Sequence, residues 1–131
     1  MPTGATALTI PAVSGPAGPT WAEQTMDASN GNKFVNDGGT MLFIRNTTAG
    51  AIIVDFYFDL LGVELKCMSR SVPGSGTANG CVVLGPFPPN IFNDHKTTTA
   101  SGADQGMVVM KQASAGSMIC EPFVINKSIL G

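Results

Sequence analysis

Ile52, Val54, Phe56 and Phe58 fall on one side of an extended chain, and Ile53, Asp55, Tyr57 and Asp59 fall on the other. A period of two fits a strand and no helix, because strand side chains alternate between faces whereas helical neighbours return every 3.6 residues. This stretch dictates a sheet, and a sheet with one apolar face must bury that face against a second layer.

The flanking sequence supplies strands for that layer. Met41 to Arg45 reads as a strand, and Asn46-Thr47-Thr48-Ala49-Gly50 as a hairpin loop leading into the alternating run. A hairpin at Leu61-Gly62 turns the chain into Val63, Leu65 and Cys67 on one face and Glu64 and Lys66 on the other. Ser69 to Gly80 reads as loop, Cys81 to Leu84 as strand, and Asn93 to Gly106 as loop, with a short strand at Lys96 to Thr99. Met107 to Lys111 and Ser117 to Ile125 close the domain. Before these, Trp21 to Met26 alternates in part, and Asp27 to Asn32 reads as a turn around Asn30-Gly31. No segment has a helical period. The expected fold is all-β, an antiparallel β-sandwich or jelly-roll-like barrel of about eight short strands.

Residues 1–20 stand apart from this pattern. Pro2, Pro11, Pro16 and Pro19 punctuate a Thr/Ala/Gly background without a charged side chain, which forbids a helix and favours extended geometry. The chain therefore divides into an extended N-terminal arm, 1–20, and a β-sandwich domain, 21–131. Ala7-Leu8-Thr9-Ile10 alternates weakly and suits addition to a sheet edge. Leu8, Ile10 and Trp21 are the apolar anchors expected to touch a partner or subunit surface, with the arm ordering on that surface.

At 131 residues the chain makes one domain. Its charge is sparse: 12% of residues are Asp, Glu, Lys or Arg, against about 25% in typical soluble domains. Charge is depleted at interface cores, so this surface is expected to be covered in part by neighbouring subunits. The seven basic residues are scattered, which provides no phosphate-tracking stripe and argues against nucleic-acid binding. No apolar run approaches the ~20 residues of a membrane span. The N-terminus lacks the pattern of a signal peptide, so synthesis in the cytoplasm is expected.

Chemistry is sparse as well. Cys67, Cys81 and Cys120 form neither a disulfide framework nor a zinc pattern. They are expected to be buried, reduced thiols, with a Cys67–Cys81 bridge as the alternative. His95, the single histidine, lies in a polar loop, and no serine sits on a nucleophile elbow. Asp55 and Asp59 share a strand face roughly 13 Å apart at ~3.3 Å per residue, too far for paired carboxylates; a solvated face is expected. Asp27 to Asn32 has oxygen ligands but departs from the calcium-loop pattern. No catalytic residue, metal or cofactor is expected, and the chain does not read as an enzyme.

Two remaining stretches are distinctive. Asn36-Asp37-Gly38-Gly39-Thr40-Met41-Leu42-Phe43-Ile44-Arg45-Asn46 is a turn followed by a strand. Leu84-Gly85-Pro86-Phe87-Pro88-Pro89-Asn90-Ile91-Phe92 is a strand exit, since Pro88 and Pro89 cannot donate ladder bonds. Gly85, Pro86, Phe87, Pro88 and Pro89 are expected to form a rigid turn with Phe87 filling the core. Together with the closing strands at 107–125, these stretches resemble small virion proteins of tailed bacteriophages, in particular head decoration (cement) proteins. The resemblance covers roughly residues 33–130. It implies a small β-sandwich subunit, commonly a homotrimer, that sits on the capsid exterior of the virion and clamps neighbouring major capsid proteins. A phage neck, tail or fibre-base protein is the near alternative. A carbohydrate-binding β-sandwich is the distant one, because it would need several exposed aromatics on one face.

Overall fold

The computed structural model describes residues 4–10, 23–60, 63–77, 80–92 and 106–124. Among these lie nine strands: β1 (Thr6–Ala7), β2 (Gln24–Thr25), β3 (Asn32–Val35), β4 (Thr40–Asn46), β5 (Ile52–Leu60), β6 (Val63–Val72), β7 (Cys81–Leu84), β8 (Met107–Gln112) and β9 (Met118–Val124). A single helical turn, α1 (Pro89–Phe92), separates β7 from β8.

Strands β5 and β6, β4 and β7, β3 and β8, and β2 and β9 all pair antiparallel. Each pair nests inside the next, so β2 to β9 form one long ribbon folded back on itself at β5–β6. The ribbon then rolls up: β4 also pairs with β9, and β5 with β8. The result is two sheets, with strand orders β3-β8-β5-β6 and β2-β9-β4-β7. That is the order of an eight-stranded jelly roll. Strand β1 joins the first sheet as a fifth strand, parallel to β3. The all-β sandwich read from the sequence is therefore the fold, with one strand more than the eight expected.

The core lies between the sheets. Strand β4 alternates strictly: Thr40, Leu42, Ile44 and Asn46 are buried, while Met41, Phe43 and Arg45 are half-buried. From the other sheet Phe34, Val54, Phe56, Val72, Val108 and Met110 meet them. Strand β8 is central, and Val108, Val109 and Met110 are all buried in succession, so both of its faces are covered.

Strand β6 runs on through Ser69 to Val72, where the sequence reads as loop. Ile52 to Asp55 supply the ladder for these residues, and Val72 is fully buried. Strand β3 carries no apolar alternation, yet Asn32 and Lys33 are buried in it. The Asn32 amide makes this tolerable: Oδ1 accepts the Asp27 N–H at 2.8 Å and Nδ2 donates to the Thr6 carbonyl at 3.3 Å.

The loops gather at two ends. At one end Thr47 N–H donates to the Ser117 carbonyl at 3.0 Å, and Ser75 N–H to the Thr48 carbonyl at 3.0 Å. These loops interlock so closely that a Cβ on Gly74 would stand 2.0 Å from the Ala49 carbonyl oxygen. The opposite end holds the β3–β4 turn and the segment leaving β7.

Candidate functional site

The two stretches that dominate the sequence meet at this second end. Asn36 Nδ2 donates to the Phe87 carbonyl at 2.9 Å, across 51 residues of chain, and Asn36 Oδ1 accepts the Gly38 N–H at 3.1 Å. One buried amide thus shapes its own turn and fixes the other. Gly85 has φ of 108° and joins Pro86 through a cis peptide bond. A Cβ there would sit 3.0 Å from the Thr40 carbonyl oxygen, so only glycine lets the chain pass this close to β4. Strand β7 stops at Leu84 and the turn swings Phe87 inward, where it is 1% exposed. Phe87 is the hub of an aromatic cluster, with Phe34, Phe56 and Phe92 rings centred 5.6, 5.6 and 5.2 Å away. Pro88 and Pro89 then open α1, where a missing N–H costs nothing. The Pro88 carbonyl accepts the Ile91 and Phe92 N–H groups.

A cleft opens beside this turn, between the edge strands of the two sheets. Met68 and Arg70 of β6 form one wall and Val83 and Leu84 of β7 the other, with Phe87 and Phe92 among the residues lining it; the volume is about 270 Å³. Among the described residues Arg70 is its one charged group. Among the described residues Arg70 makes no ion pair; the pairs described there are Arg45 with Glu23 and Lys66 with Asp55.

The outer face of the five-stranded sheet carries a polar cluster that corrects one expectation. Asp55 is not on a solvated face: it is 5% exposed. Its Oδ1 accepts the Ser69 hydroxyl at 2.6 Å, and its Oδ2 lies 3.3 Å from Lys66 Nζ and 3.5 Å from the Tyr57 hydroxyl. The cause is a β-bulge. Phe56 pairs with Met68 and Tyr57 with Lys66, leaving Cys67 as an extra residue. Lys66 and Ser69, three apart, would face opposite ways in a regular strand, and the bulge brings both to Asp55. Burial, then the adjoining Asp55 carboxylate, raises the Tyr57 phenol above its ordinary range. No nucleophile with a base behind it is formed, since Ser69 donates its proton to a carboxylate already held by Lys66.

The Asp27 loop uses up its ligands internally. Asp27 Oδ1 accepts the Ser29 and Asn30 N–H groups, and Oδ2 accepts the Thr6 hydroxyl and the Asn30 amide. These bonds, led by the Asn30 N–H, lower its pKa from the usual 3.8 to about 2. Among the described residues no three His, Cys, Asp or Glu side chains gather in a way that could hold a metal ion, and no helix is long and apolar enough to cross a membrane.

The arm residues are placed differently from expectation. Leu8, expected on a partner surface, is buried in this chain's own core. Thr6 N–H donates to the Gly31 carbonyl at 2.9 Å and Leu8 N–H to the Lys33 carbonyl at 2.8 Å. Gln24 of β2 then holds Thr9 by both backbone groups, at 2.9 and 2.8 Å. The segment thus bridges the two sheets, because a neighbouring edge of its own domain was available for the augmentation its sequence suits. Ile10 is half-buried. Trp21 and His95 lie outside the described residues, as do Leu61-Gly62 and Lys96 to Thr99. All three cysteines are free, Cys67 and Cys81 half-buried and Cys120 buried. No sequence signal marked the cleft, because its walls come from strands that touch only through the rolled topology. No protein-family model, curated protein or solved structure matches the chain.

Proposed function

We propose that the chain is a structural subunit of a tailed-bacteriophage virion, a head decoration protein that binds the outside of the shell as a homotrimer and stabilises neighbouring major capsid proteins. One observation carries this reading: the surface of a small, sparsely charged jelly roll bears large exposed aliphatic side chains in several directions. Val35 is 55% exposed, Val83 56% and Ile91 48%, with Ile53 and Leu65 also exposed. Single exposed aliphatics are ordinary on any protein surface; their combination with charge on only 12% of residues suits a subunit with neighbours on several sides, because charge is depleted at interface cores.

The motif resemblance supports the same reading, since Asn36-Asp37-Gly38 and Gly85 to Pro89 make one joined structural unit rather than two unrelated turns. Jelly rolls recur in viral capsid domains, which is an analogy of fold and no more. Mechanically, a subunit that binds only the mature shell lowers that state's free energy by RT ln(1 + [L]/Kd) at every site, and the clamps sum over the lattice. Heads lacking the protein should assemble but open at lower temperature than decorated heads, and added protein should restore them. Equal thermal stability of the two kinds of head, or a purely monomeric chain in sedimentation at high concentration, would refute the assignment.

A further inference from the structure

A jelly roll has two sides where the sheets meet edge to edge. Here they are treated unequally. On the β2–β3 side the chain closes the gap itself. Thr6 to Leu8 add to β3, Thr9 is clamped by Gln24 of β2, and Leu8 drops into the core. On the β6–β7 side no described segment plays this part, and a cleft of about 270 Å³ lies there. Among the described residues β6 pairs only with β5, and β7 only with β4. Strand β6 is ten residues long, so about every second residue along it turns a backbone N–H and C=O away from the sheet.

From this asymmetry we infer that the β6–β7 cleft is a strand-acceptor site: it takes an extended segment of a different polypeptide, which pairs with the free edge of β6, seats an aliphatic side chain between the sheets and places a carboxylate on Arg70. The size of the cleft sets the first requirement. It falls just below the roughly 300–1,000 Å³ of small-molecule pockets, and its walls of Met68, Val83, Leu84, Phe87 and Phe92 suit a Val or Leu side chain, as Leu8 fills the other side. Charge sets the second. Among the described residues Arg70 is the only charged one lining the cleft and makes no ion pair, so an acidic segment is complementary and a basic one is repelled. Backbone bonds would supply affinity and the two side chains specificity, as in other strand additions. Any polypeptide with this chemistry fits, a capsid protein included, so the site does not depend on the virion assignment.

The test uses the full-length protein and three labelled peptides of one length, each alternating serine with side chains that share one strand face, valine and then, two residues on, glutamate, glutamine or lysine. Fluorescence anisotropy and backbone amide shifts are read together. The glutamate peptide should bind at least tenfold tighter than the other two, with shifts confined to β6, β7 and residues 85–92. Arg70→Glu should abolish that preference while leaving the melting temperature unchanged, and Arg70→Lys should keep much of it. Val83→Asp should block the peptide without touching Arg70. The site is refuted if the glutamate peptide fails to bind at millimolar concentration, if all three bind alike, or if the shifts map elsewhere. Self-association of the chain that Arg70→Glu abolishes would give the cleft to a second copy and also overturn it. None of these readouts involves phage heads, so failure here and failure of the decoration role are distinguishable.

Discussion

Asp27 accepts four hydrogen bonds with one carboxylate, and through the Thr6 hydroxyl it ties the N-terminal segment to the β2–β3 turn. Its pKa is depressed in the folded state, so its contribution is fully present above the ordinary value of 3.8 and is lost as pH falls from there towards about 2. Asp27→Asn should therefore flatten the acid limb of the stability curve between about pH 4 and pH 2; urea midpoints across that range that fall equally in both proteins would show that Asp27 has no such role. Cys120 offers a second reading at this scale. Burial, with Glu121 adding to it, pushes its thiol up to about 12, and burial also raises Cys67. The thiolate is the reactive form, so Cys120 should resist alkylation at pH 8 until the protein unfolds. Mass spectrometry after a timed pulse of iodoacetamide measures this directly, and rapid native labelling of Cys120 would contradict its placement. At the cis turn, Phe87→Ala removes the hub of the aromatic cluster and should cost about 3–5 kcal/mol in chemical denaturation.

Among the elements, the N-terminal segment changes most in meaning between sequence and structure. Its prolines and missing charges mark it as extended, and Ala7 to Ile10 mark it as a strand to be added to an edge. What no local pattern states is whose edge. The domain's own β3 answers that through the Gly31 and Lys33 carbonyls. Leu8→Ala should accordingly destabilise the isolated protein by about 2–5 kcal/mol, as for other core leucines, and deleting residues 1–10 should do at least as much. A truncated chain with an unchanged urea midpoint would return the segment to the role of a free arm. The strands legible from sequence are those whose two faces differ, β4 and β5 above all. Strand β3 was hidden because its buried Asn32 and Lys33 look like surface residues until their partners arrive from elsewhere. The Asp55 cluster was hidden because a bulge at Cys67 breaks the two-residue period on which face assignment rests. Helix α1 is one turn long, too short to have a period at all.

For the molecule as a whole, the rolled ribbon has a kinetic consequence. The β5–β6 hairpin is local, but each further layer joins residues more distant in sequence, ending with β2 against β9, where Gln24 meets Cys120. The entropy of closing such loops is lost before their contacts form, so folds dominated by non-local pairing fold in milliseconds to seconds rather than microseconds. The first layer is self-sufficient only in part. A two-stranded hairpin is marginal in water, and β5 buries Ile52, Val54 and Phe56 only when the second sheet closes over them. The hairpin is therefore expected to be native-like early, with the β2–β9 pairing forming last. Substitutions should divide accordingly: Val54→Ala in β5 should slow folding, while Leu8→Ala at the periphery should chiefly speed unfolding. Stopped-flow circular dichroism across a urea series measures both limbs. A main folding phase in microseconds, or a Leu8→Ala effect confined to the folding limb, would mean that the ribbon does not close from its hairpin outward.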